Sequence, residues 1–202
     1  MLGNFKSSHI KSEIITAIEE SGPITFARFM EICLYSPQGG FYSTRDRPIN
    51  QNFSTSSHVH EGFGRLLAVQ LEEMWRILGM PSEFHLLEIG CGDGSLARSI
   101  QRSVQNTFPE FSRCLIHVAA DLTPIFSEAM ALSNQIESGT EADIQIKIQK
   151  VVADGVNGFS NITGCIFSNE LIDNFPVHRF TKIDGSIQEI FTGFNGETFF
   201  DV

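Results

Sequence analysis

The sequence predicts an α/β fold built on a mostly parallel sheet, and three observations carry that expectation. From residue 83 onward, apolar stretches of strand length alternate with amphipathic stretches of helix length, as in a sheet covered on both faces. The strand Phe84-His85-Leu86-Leu87-Glu88-Ile89 runs directly into Gly90-Cys91-Gly92-Asp93-Gly94 and then a helix. Open α/β sheets approach nucleotide-like ligands through such a turn. At the far end, Asp184-Gly185 and Asn195-Gly196 separate alternating apolar stretches, a strong hairpin signal. The expected organisation is a helical and loop extension over residues 1–80, then an α/β domain over 81–202 that closes with a β-hairpin.

Ile10, Ile14, Ile15 and Ile18 keep helical spacing, and Gly22-Pro23 ends that helix. Thr25 suits the N-cap of a short helix carrying Phe26, Phe29, Met30 and Leu34. Residues 36–57 are rich in Pro, Gly, Ser, Thr and Asn and read as a lid, a binding loop or a surface excursion. Phe63, Leu67, Leu71, Met74 and Leu78 mark an amphipathic helix that stops at Gly79 and Pro81.

Leu96, Ile100 and Val104 form the buried stripe of the helix after the glycines. A second strand covers residues 114–120 and ends in Asp121, and Pro124 starts another helix. Ile144, Ile146, Ile148, Val151 and Val152 belong to a third strand, and residues 162–168 form a fourth that runs into Asn169-Glu170. The tail alternates over 177–183, 187–194 and 197–202.

A length of 202 residues allows a sizeable core, and 42% apolar with 19% charged residues is the balance of a soluble globular protein. A net charge of -10 disfavours a nucleic-acid backbone or an anionic membrane as the main partner. It suits a basic substrate such as an arginine- or lysine-bearing segment, although acidity also serves solubility. No apolar run approaches the roughly 20 residues of a membrane span, and the start has neither a secretory apolar core nor an arginine-rich transit signal. Cys33, Cys91, Cys114 and Cys165 form no C-x-x-C pair, which reads as reduced thiols in a cytoplasm-like compartment.

The glycine segment has the spacing E-x-G-x-G-x-G-x-L. The dinucleotide fingerprint would need a third glycine at position 95, where Ser95 stands, so a nicotinamide-linked oxidoreductase is disfavoured. The pattern resembles the first motif of S-adenosylmethionine (SAM) dependent methyltransferases of the Rossmann-like class. That resemblance implies SAM as cofactor, with Glu88, Gly90, Gly92 and Gly94 around its methionine tail. Glu88 would anchor the glycine loop or meet the tail's ammonium, and it is otherwise an ordinary strand-end charge. Loop N–H groups at a helix N-terminus would suit the tail's carboxylate. Asp121 stands where an acid takes the ribose diol, and it is alternatively a helix N-cap. Asp154 follows the third strand and would accept from the adenine amino group, or it is a turn residue.

Asn169-Glu170-Leu171-Ile172-Asp173-Asn174-Phe175-Pro176 leaves the fourth strand at the ligand-binding edge of such a sheet. Methyl transfer from a sulfonium is an in-line displacement that depends on positioning, and an arginine nucleophile needs carboxylates to orient it. Glu170 and Asp173, three apart, would share one side of a helical turn, with Asn169 beside them; otherwise they form a solvated acidic turn. His58-x-His60 lacks a third ligand at metal spacing, so no metal site is expected, and no G-x-S-x-G elbow supplies a hydrolase nucleophile.

The longer blocks resemble the MidA-type methyltransferases, a family that includes the mitochondrial complex I assembly arginine methyltransferase. The residues carrying this are Gly22-Pro23-Ile24-Thr25-Phe26-Ala27-Arg28-Phe29-Met30, Leu34-Tyr35-Ser36-Pro37-Gln38-Gly39-Gly40-Phe41-Tyr42, Phe53-Ser54-Thr55-Ser56, Phe63-Gly64, the glycine motif and the block from Asn169 to Val177. The resemblance implies a class I SAM-dependent methyltransferase acting on a protein arginine, with a complex I subunit as a candidate substrate. It further implies a mitochondrial matrix location in a eukaryote or a cytoplasmic one in a bacterium. The family usually has aspartate, proline and glutamate where this chain has Asn52, Ser57 and His58. Family members are longer, so further strands are expected beyond Val202. The alternative reading is a methyltransferase-like assembly or binding factor without catalysis.

Overall fold

The computed structural model describes residues 2–43, 61–122, 148–152 and 159–202. The chain divides into two compact units: Met1–Asp46 with Ile172–Val202, and Arg47–Leu171. This division differs from a boundary near residue 80, because the helix over 61–77 buries its apolar face in the core of the α/β unit.

That unit contains α3 (Glu61–Ile77), β2 (Phe84–Ile89), α4 (Ser95–Thr107), α5 (Pro109–Cys114), β3 (Leu115–Asp121), β4 (Ile148–Val152) and β5 (Gly164–Ser168). Its strands lie in the order β4-β3-β2-β5, and every pair is parallel. The chain steps outward on one side of β2 to build β3 and β4, then returns to place β5 on the other side. The reversal falls between β2 and β5, so the crevice at their carboxyl ends is where such a sheet takes a ligand.

Alternation sends Phe84, Leu86 and Leu115 to the face covered by α3 and α4, where they join Ala68, Leu71, Trp75, Leu96, Ile100, Val104 and Phe111 in one core. Trp75 and Phe84 each pack on Phe111, with ring centroids 5.5 and 5.3 Å apart. Leu87, Val118 and Ala120 fill the opposite face with Ile89, Ile116 and Val151. The expected helix at Pro124, with Ile144 and Ile146, falls outside the described residues.

The other unit joins α1 (Leu2–Ser21), β1 (Ile24–Thr25) and α2 (Phe26–Tyr35) to β6 (Arg179–Ile183), β7 (Ser186–Phe194) and β8 (Phe199–Asp201). Thr25 caps α2 as expected, its hydroxyl accepting from the Arg28 N–H at 3.1 Å. The same residue pairs with Phe191, so β1 adds an antiparallel edge to β7. Both hairpin turns form where expected. Asp184 and Gly185 take φ of 49° and 83°, and the Asn195 side chain accepts from the Glu197 and Thr198 N–H groups.

Candidate functional site at the carboxyl edge of the sheet

Strand register determines what reaches this edge. Ile89 pairs with Ala120 of β3 and Ser168 of β5, so Gly90, Asp121 and Asn169 are the next residues past the same level. Three of the residues singled out from sequence therefore leave the sheet together.

Gly90, Gly92 and Gly94 take φ of 72°, 57° and 75°, a left-handed conformation that a side chain disfavours. The turn is braced from within. The Gly90 and Cys91 N–H groups donate to the Ala120 carbonyl at 2.9 and 3.2 Å, and the Gly94 N–H donates to the Cys91 carbonyl at 2.9 Å. Asp121 Oδ2 accepts from the Gly92 N–H at 3.0 Å. Four of the loop's amides are thus already bonded, which differs from the expectation of a row of open N–H groups. Tight left-handed turns bring each amide onto a nearby carbonyl or carboxylate, as buried polar groups require.

Asp93, which sequence reading passed over, caps α4 in place of the side-chain-less Gly94. Its Oδ1 accepts from the Ser95 N–H at 2.9 Å, and its carbonyl accepts from the Arg98 guanidinium at 3.0 Å. Glu88 is buried, only 2% exposed, and its Oε2 lies 3.4 Å from His117 Nε2.

The Cys91 thiol shows how these charges converge. Burial pushes it well above the ordinary thiol range, and the negative fields of Glu88, Asp121 and Asp93 push it further. Three carboxylates therefore act on one short loop, an environment that favours a cationic ligand.

Beyond β5, Asn169 is half-buried and Glu170 exposed. Glu170 adopts a φ of 50°, and strained left-handed backbone at a non-glycine residue clusters at functional sites. A 3₁₀ turn follows over Ile172–Asn174 and carries Asp173, which is exposed. The expected helical turn shared by Glu170 and Asp173 does not form, because the left-handed residue breaks the chain direction before the turn begins at Ile172. Glu170 belongs to the α/β unit and Asp173 to the other.

In that other unit, the Asn174 carbonyl accepts from the Tyr35 hydroxyl at 2.8 Å, and its Oδ1 accepts from the Tyr42 hydroxyl at 2.6 Å. The two tyrosine rings stack with centroids 5.6 Å apart. Two of the blocks that drew attention in the sequence are thereby joined, although nothing in the spacing of Tyr35, Tyr42 and Asn174 announced the contact.

Asp154, the 52–58 loop and His60 lie outside the described residues. Among the described residues no group of three or more His, Cys, Asp or Glu side chains is arranged to hold a metal ion, and no helix is long and apolar enough to cross a membrane.

Comparison with known proteins is consistent with this geometry. Residues 66–201 match the family described as putative S-adenosyl-L-methionine-dependent methyltransferase. The chain is 29% identical over 197 residues to the Drosophila melanogaster protein arginine methyltransferase NDUFAF7 homolog, mitochondrial, covering 90% of this chain and 44% of that protein. It is 28% identical over 193 residues to the Homo sapiens protein arginine methyltransferase NDUFAF7, mitochondrial, covering 86% of this chain and 42% of that one. The chain therefore spans less than half the length of these relatives. Among solved structures, a Burkholderia thailandensis protein bound to S-adenosyl-homocysteine superposes with a TM-score of 0.77 at 20% identity, over 98% of this chain and 50% of the other. At that identity the likeness speaks for the fold.

Proposed function

The chain belongs to the putative S-adenosyl-L-methionine-dependent methyltransferase family, and from that premise we propose that it forms the SAM-binding part of a protein arginine N-methyltransferase. The observation that carries the cofactor assignment is Asp121, level with Gly90 at the β2–β3 edge and bonded to the Gly92 N–H at 3.0 Å. A carboxylate so placed, beside a left-handed glycine turn, fits a ribose diol lying against backbone. Glu88 and Asp93 add negative charge on the same loop, which suits a ligand carrying a sulfonium and an ammonium. Asp154 retains the adenine role read from the sequence.

SAM, when bound, supplies an electrophilic methyl group. In the proposed reaction a guanidinium nitrogen of the substrate forms the new bond to that methyl carbon, the carbon–sulfur bond breaks, and the nitrogen gives up a proton as S-adenosylhomocysteine is left. Asn169 and Glu170, leaving β5 at the ligand edge, would orient the arginine, and Glu170 or Asp173 would receive the proton. The mitochondrial relatives named above support a protein substrate; a complex I subunit and a matrix location are the finer proposal. A binding factor without catalysis is the second reading, favoured by Asn52, Ser57 and His58 standing where the family usually has aspartate, proline and glutamate.

Calorimetric titration of SAM into this chain and its Asp121→Ala form tests the cofactor assignment. Loss of a charged acceptor predicts affinity lower by roughly tenfold to a hundredfold. Equal affinities would remove Asp121 from the site. Methyl transfer to arginine peptides by the protein, with and without Glu170→Ala, separates the catalytic reading from the binding one.

A further inference from the structure

Glu88 and His117 form a buried pair that the assigned roles leave unexplained. Alternation puts Glu88 on the same face of the sheet as Phe84 and Leu86, and His117 on the same face as Leu115 and Ala119. This is the face packed by α4, whose buried residues include Gln101. His117 is fully buried, and the Glu88 side chain is 3% exposed. Glu88 Oε2 and His117 Nε2 approach to 3.4 Å, within ion-pair range but without hydrogen-bond geometry, and neither Oε2 nor either ring nitrogen has a hydrogen-bond partner among the described residues. A carboxylate removed from water this completely requires a partner, and His117 is the group in position to be one.

Glu88 is two residues before Gly90, and its charge is felt at Cys91 inside the loop. The position of its carboxylate therefore sets part of the field that a cationic cofactor meets. We propose that His117 is a positioning residue for the cofactor site: its imidazole holds the Glu88 carboxylate at the base of the glycine loop. The inference rests on the SAM reading above and extends it to a side chain that does not touch the ligand.

The test compares His117→Leu, which removes the ring nitrogens, with His117→Gln, whose amide N–H can reach the Nε2 position. SAM affinity should fall by roughly tenfold or more in His117→Leu and stay within about threefold of the parent in His117→Gln. Val104→Ala, in the same face of the core, is the control: it lowers the thermal midpoint while leaving SAM affinity at 25 °C unchanged. Parent-like affinity in His117→Leu would overturn the proposal, as would an equal loss in the Val104 control.

A second measurement covers failure of His117→Leu to fold. The imidazole nitrogen resonances of His117 should move in Glu88→Gln relative to the parent, and unmoved resonances would overturn the pairing. A parent chain that binds no SAM would fell the cofactor reading and His117's role with it, while the resonance shift separately reports whether the pair exists.

Discussion

Gly90→Ala perturbs the point where the glycine loop meets the segment that follows β5. A Cβ built on Gly90 would lie 2.7 Å from Leu171 Cδ1, while one on Gly92 would meet nothing within 4 Å. Both positions are left-handed, so each alanine carries about 1–2 kcal/mol of backbone strain. At Gly90, Leu171 must also leave its rotamer, adding about 0.5–1.5 kcal/mol. The sum is about 1.5–3.5 kcal/mol, a thermal midpoint lower by roughly 3–14 °C for a chain of this size. Calorimetric unfolding of Gly90→Ala, Gly92→Ala and each combined with Leu171→Ala measures the difference. Truncating Leu171 removes the clash, so Gly90→Ala with Leu171→Ala should be less destabilised than the sum of the singles by about 0.5–1.5 kcal/mol. The Gly92 combination should be additive. Additivity at both positions would refute the steric argument. Because Leu171 is the neighbour of Glu170, Gly90→Ala should also disturb the left-handed backbone at Glu170.

Two further expectations follow from the chemistry of single side chains. Cys91 is held protonated in the folded state, so the unfolded chain loses its thiol proton first, near the ordinary value of 9.0. Its contribution is complete below that pH, and above it stability falls by about 1.4 kcal/mol per pH unit. Urea midpoints from pH 8 to 10 should therefore fall more gently in Cys91→Ala, and parallel slopes would contradict the assignment. Tyr42→Phe keeps the ring stack on Tyr35 but removes the 2.6 Å bond to Asn174, a loss of about 1 kcal/mol. Amide exchange at the turn over Ile172–Asn174 should quicken in that variant, and unchanged exchange would show that the hydroxyl does not hold the turn.

Local signals were the legible ones. The Thr25 cap, the two Xaa-Gly hairpin turns and the strand-to-glycine turn are each settled within a few residues by capping, φ preference and alternation. Asp121 could be placed because one strand–helix–strand unit fixes its level relative to Gly90. Long-range pairing was not legible. β1 has only Ile24 and Thr25, too short for any period, and its partners lie in β7. Likewise, α5 is six residues long and merges with the strand after it. The amphipathic pattern of α3 announces a buried face without naming what buries it. At Glu170, helical spacing suggested one turn, and a single left-handed residue displaced it. The tyrosine contacts span 132 and 139 residues, a separation at which only the folded chain brings the groups together.

The β1–β7 pairing also bears on the order of assembly during synthesis. The α/β unit is one continuous stretch, Arg47–Leu171, whose contacts all become available once that stretch has left the ribosome. The other unit is discontinuous: Ile24 and Thr25 must wait for Thr192 and Phe191, so α1 and α2 emerge first and find their sheet last. Closing so long a loop is entropically slow, and until then the apolar residues Ile14 and Ile32 lack part of their cover. Nascent chains that stop short of β7 should therefore hold a formed α/β unit beside an N-terminal segment that is open to chaperones and proteases.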